Sequence, residues 1–107
     1  ILKAKETREI EDAYIMQSVH GIYEHLDEID QKIVAHAHGW SFERLSRTTL
    51  AIMRISVYEM HYADIPYTIS INEAVELAKK YDHDQAPTFI NGILNAIATA
   101  SGLKNQA

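Results

Sequence analysis

The 107 residues contain no cysteine, which excludes a disulfide framework, a thiol nucleophile, a thiolate zinc site and an iron–sulfur cluster. Glycine and proline are scarce. The four glycines lie scattered at 21, 39, 92 and 102 and the two prolines at 66 and 87, so there is no glycine-rich phosphate loop, no serine elbow and no flexible linker. No apolar run approaches the roughly 18 to 20 residues that cross a bilayer, and no basic stretch followed by an apolar segment opens the chain as an export signal. A cytoplasmic protein without a membrane partner is expected. Basic charge is also short: Lys and Arg number 10 against 15 Asp and Glu, a net charge of −5, which argues against non-specific coating of nucleic acid. Eight acids and three bases in residues 1–30 carry the whole deficit, and residues 31–107 hold seven of each. Arg44, Arg47 and Arg54 form a local basic excess that could meet a phosphate, read first as solvated or structurally paired.

What is present is the balance of a folding chain, 47% hydrophobic and 23% charged, of a size for one domain over residues 1–107, with 1–10 as a poorly ordered N-terminal extension. Ile15, Val19, Ile22, Leu26, Ile29 and Ile33 follow at spacings of 4, 3, 4, 3 and 4, one apolar stripe along a helical region at 11–36. Gly21 and the stretch 25–27 divide it into two helices in line, with Asp27 able to cap the second. Gly39 and Trp40 mark a stop, Trp40 plugging the core, and Ser41 caps a short helix to about Arg47. Leu50, Met53, Val57 and Met60, widened by Ile52, Ile55 and Tyr58, predict a central helix buried on most sides. Pro66 ends it. Ser70 and Glu73 have the capping-box spacing, which predicts a helix from Ile71 to about Tyr81 that buries Ile71, Ala74, Val75 and Ala78. Asp84 is read as the cap of the last helix, with Pro87 in its first turn and Ile90, Ile93, Leu94 and Ile97 on its inner face. Gly92 is read as a close helix contact. The fold class is all-α.

Chemistry is thinly represented. His36 and His38, two apart, point about 200° from each other on a helix, while the pairs His20/His25 and Glu59/His61 are equally poor chelating spacings. No metal and no cofactor is expected. The carboxylates Glu24, Asp27, Glu28 and Asp30 read as a solvated acidic face rather than a catalytic pocket, so no catalytic residue is assigned. The residues describe a helical binding protein, not an enzyme.

Three blocks carry a resemblance: EIDQKIVAHAHGWSFERLSR (28–47), LAIMRISVYEM (50–60), and DIPYTISINEAVELAKKY (64–81) followed by PTFINGILNAI (87–97). In order and spacing they resemble the NusB family of bacterial transcription antitermination factors. The resemblance implies an all-α helical bundle, a NusB-like RNA-binding fold lacking its first two helices. It also implies transcription regulation in the elongation complex, by binding the boxA element of ribosomal RNA leaders together with NusE, a small-subunit ribosomal protein. Family members occur as monomers and as homodimers. A related domain fronts ribosomal RNA cytosine methyltransferases, which leaves as alternatives an RNA-binding domain of that kind or a helical module that binds only protein. The family opens with an arginine-rich helix and a second helix. Here ILKAKETREIEDAY stands in their place without an initiator methionine, and the chain reads as N-terminally incomplete.

Position by position, Phe89 matches the aromatic on the RNA side of the last helix, to stack on an unpaired base or else to serve the core; the completed inner face beside it favours exposure. Gln85 and Thr88 flank it at the helix head, where free amides suit a phosphate or where the two serve only as cap and solvated surface. Thr49 and Leu50 stand where the family commonly has an acid and a base, the acid on the NusE-facing side. Glu59 and Tyr58 are candidates for that side, with burial the other fate of Tyr58. Asn72, Glu73 and Asn91 are assigned to none of these.

Overall fold

The computed structural model describes residues 4–38 and 45–103. Five helices follow in order: α1 (Ala4–Glu24), α2 (Leu26–His36), α3 (Arg47–Tyr62), α4 (Tyr67–Tyr81) and α5 (Ala86–Ala100). Among the described residues there is no strand. The expected places of Trp40 and of the helix capped by Ser41 lie outside the described residues.

α3 is the hub, packed against all four other helices. Ile52, Met53, Val57 and Met60 are buried along it, and Ile29, Ile33, Ile71, Ala74, Ala78, Ile90, Leu94 and Ile97 close the core from the other helices. Ile55, expected to widen the buried face, is 41% exposed, because it lies on the side of α3 that no neighbouring helix covers. α3 starts where Ser46 accepts a hydrogen bond from the Thr49 amide at 3.0 Å. It ends at Ala63, and Asp64 takes the left-handed backbone region (φ 55°), so that Pro66 can open α4.

A single residue separates α1 from α2. The break is at His25, whose side chain makes no cap bond and stacks instead on Tyr62, ring centroids 3.9 Å apart and planes within 8°; Asp27 is not the cap. Gly21 lets α1 approach α3, since a Cβ there would come within 2.5 Å of the Tyr58 hydroxyl. The apolar stripe of α1 is covered only at its far end: Ile22 packs on the core, whereas Ile15 and Val19 are 55% and 56% exposed.

The acids of α2 are less solvated than the sequence suggests. Asp30 receives a bidentate pair of bonds from Arg54 at 2.8 and 2.9 Å, and Glu28 accepts from the Tyr62 hydroxyl. Burial and that carboxylate push the Tyr62 phenol up to about 12. His61 donates Nδ1–H to the Val57 carbonyl at 3.1 Å and accepts at Nε2 from Ser101 at 2.8 Å. Burial lowers its pKa, and the neutral ring ties the end of α5 to α3.

Ser70 is not a cap. α4 already begins at Tyr67, behind Pro66, which places Ser70 one turn inside the helix and fully buried. Its hydroxyl lies 2.8 Å from that of Ser56 and donates to Glu59 Oε1 at 3.0 Å. The hydroxyl pair lets α3 and α4 pack closely without an unsatisfied polar group. Desolvation raises the Glu59 pKa, with Glu73 acting in the same direction and the Ser70 bond opposing. Likewise the residue before α5 is Gln85 rather than Asp84, and it makes no side-chain cap bond.

Candidate functional site

The head of α5 meets the start of α3 across a groove of about 470 Å³, lined by Leu45, Ser46, Thr49, His83, Asp84, Gln85, Thr88 and Phe89. The three residues expected on the RNA side therefore share one groove. Gln85 and Thr88 are exposed; Phe89 is half-buried and rests against the core, so its ring is neither wholly interior nor wholly on the surface. Leu45, Ser46 and His83 had no signal in the sequence, and Asp84 was expected only as a helix cap. They carry no motif, and only the packing of α3 against the α4–α5 turn brings them beside Phe89.

A hydrogen-bond relay fixes the groove wall. Ser46 donates to the Thr49 hydroxyl at 2.9 Å, and Thr49 donates to Asp82 Oδ2 at 2.6 Å. The other oxygen of Asp82 accepts the His83 amide at 2.9 Å, and the Asp82 side chain is only 3% exposed. Thr49, expected to face a protein partner, is instead interior at 2% exposure. Its hydroxyl is committed to holding the turn that precedes α5.

The helix head offers less to a phosphate than the sequence implied. The Ala86 amide is bonded to the His83 carbonyl at 3.0 Å, that of Phe89 to the Gln85 carbonyl at 3.3 Å, and Pro87 has no N–H to give. Asp82 and Asp84 add negative charge beside it. A half-exposed aromatic ring, an amide, hydroxyls and an imidazole suit a base edge and face better than a phosphodiester.

Glu59 and Tyr58 lie elsewhere, about 15 Å further along α3 by helix rise. Both are half-exposed, Glu59 bonded to Ser70 and the Tyr58 ring set over Gly21. The structure thus separates these two residues from the α5 groove. Among the described residues, no group of three His, Asp or Glu is placed to hold a metal ion, and no helix is long and apolar enough to cross a membrane.

The model of the NusB family matches residues 1–99. The chain belongs to the NusB family. It is 50% identical over 91 residues to "Transcription antitermination protein NusB" of Thermoanaerobacter sp. (strain X514), covering 85% of this chain and 65% of that protein. It is 47% identical over 98 residues to the protein of the same name from a Nitratiruptor species, covering 92% and 70%. The chain therefore spans about two thirds of the length of these NusB relatives. Among solved structures, T. maritima NusB superposes with a TM-score of 0.74 at 37% identity, over 78% of this chain and 59% of that one. The all-α fold is the NusB fold.

Proposed function

We propose that the chain acts in transcription antitermination by binding the boxA element of ribosomal RNA leaders as a single strand, jointly with NusE, within the elongation complex and without chemistry of its own. The observation that carries this reading is the convergence of Phe89, Thr88 and Gln85 on one groove, a half-exposed aromatic ring among them. The names of its NusB relatives support the antitermination role. The NusE-facing surface lies along α3 at Glu59 and Tyr58, with Thr49 beneath its first turn.

The test is the affinity of the chain for boxA RNA, with and without NusE, by electrophoretic mobility. Binding is expected to be weak alone and stronger with NusE. Phe89→Ala should weaken it by roughly 1 to 3 kcal/mol, while Phe89→Leu keeps the packing, loses the stacking and separates binding from folding. Parent-like affinity of a folded Phe89→Leu protein would remove the stacking role.

A further inference from the structure

Gly92 sits in the interior of α5, and no described residue crowds it. Among the described residues, a Cβ built there meets no atom within 4 Å, so the glycine makes no close contact with a described helix, contrary to the expectation from sequence. Glycine is the least favourable helix residue after proline, and one without a packing role is suited to close approach of a ligand to the backbone. Gly92 lies one turn beyond Thr88 and Phe89. With them it lines a second cleft of about 250 Å³, whose other wall is His36, Ala37 and His38 at the end of α2. Thr88 and Phe89 line both this cleft and the groove at the head of α5. The two recesses are thus the two sides of one aromatic residue.

We infer that this cleft is a second nucleobase subsite, so that a single RNA strand straddles Phe89 with one base on each side, the second lying over Gly92 between Phe89 and the histidines. This rests on the RNA-binding reading above. Its chemistry differs from that of the first groove. His36 donates Nδ1–H to the Lys32 carbonyl at 2.8 Å, which leaves Nε2 as the ring nitrogen available to a base N–H or exocyclic amine. His38 is exposed and adds an imidazole face, a stacking surface tolerant of base identity. The absent side chain at 92 leaves the floor at backbone level.

The substitutions Gly92→Ala and Gly92→Gln separate folding from binding, because no described residue stands within 4 Å of a Cβ at that position. Gly92→Ala should raise Tm by about 4 °C through helix propensity. Gly92→Gln should keep the fold and weaken binding of boxA RNA, in the presence of NusE, by about tenfold. His38→Ala, a surface change, should weaken it about threefold and repeats the test should Gly92→Gln not fold. Parent-like affinity in both Gly92→Gln and His38→Ala, with Phe89→Leu impaired, overturns the second subsite and leaves the first groove standing. Parent-like affinity in all three, or no RNA binding by the parent, overturns both.

Discussion

At the scale of single residues, the buried hydroxyls decide more than the charges do. Thr49 pins the turn before α5: replacing its hydroxyl with a methyl in Thr49→Val leaves Asp82 Oδ2, on a side chain only 3% exposed, without its donor. It should cost about 2 to 3 kcal/mol by chemical denaturation, whereas a partner-facing Thr49 would show no loss. Glu59 gives the opposite sign. Its folded pKa lies above 4.5 because burial disfavours the carboxylate, so folding favours the protonated form and stability is lost as pH rises through the folded value. Glu59→Gln keeps an acceptor for Ser70 without the charge. Its Tm should equal or exceed that of the parent at pH 7, with the difference closing below about pH 4.5, and a Tm several degrees lower at pH 7 would refute the argument. Ser70 shows how a local motif misleads: Ser70 and Glu73 have capping-box spacing, but the helix starts at Tyr67, where Pro66 supplies the entry geometry and no side chain caps.

At the scale of elements, Gly21 of α1 lies against the Tyr58 ring of α3. Gly21→Ala gains about 1 kcal/mol of helix propensity but forces a Cβ onto Tyr58 ring atoms at 2.5 to 2.8 Å. Overpacking of this kind costs about 1 to 3 kcal/mol, so a net loss of Tm is expected. In a Tyr58→Leu background the same substitution should become stabilising, and the two effects should be non-additive in a double-mutant cycle. Additivity would mean that the ring does not hold α1. α2 is held to α3 by the Asp30–Arg54 pair at 2.8 Å and by Tyr62 with Glu28 and His25, which removes Arg54 from any basic surface meant for RNA. The helices themselves were legible from periodicity, as were most core positions. Their starts were not, because capping residues are abundant and only the packed chain selects among them.

At the scale of the whole molecule, charge sets the kind of RNA binding available. A net charge of −5, Arg54 committed to Asp30, and a groove whose Phe89, Thr88 and Gln85 are uncharged leave few phosphate contacts. Each phosphate neutralised on a single strand contributes about −0.7 to the slope of log K against log salt. A slope shallower than about −2 is therefore expected for the chain with boxA RNA. A slope near −5 in a salt titration would mean that phosphates, not bases, dominate. Ile15, Met16, Val19 and Tyr23 leave an apolar stripe of α1 exposed. Amides of α1 should exchange with solvent sooner than those of α3 and α5, whose inner faces are closed.

Sequence by itself determined the helices, their inner faces and the family, because 3.6-residue periodicity and the blocks of residues 28–97 are local properties of the chain. Tertiary structure decided which apolar face is covered, which hydroxyl is structural and which residues share a groove. Periodicity specifies a face but not its neighbour: Ile15 and Ile29 belong to one stripe, yet only Ile29 meets the core. Leu45 and Ser46 reach Phe89, and His36 and His38 reach Gly92, only because α2, α3 and α5 pack together across more than 35 positions of sequence.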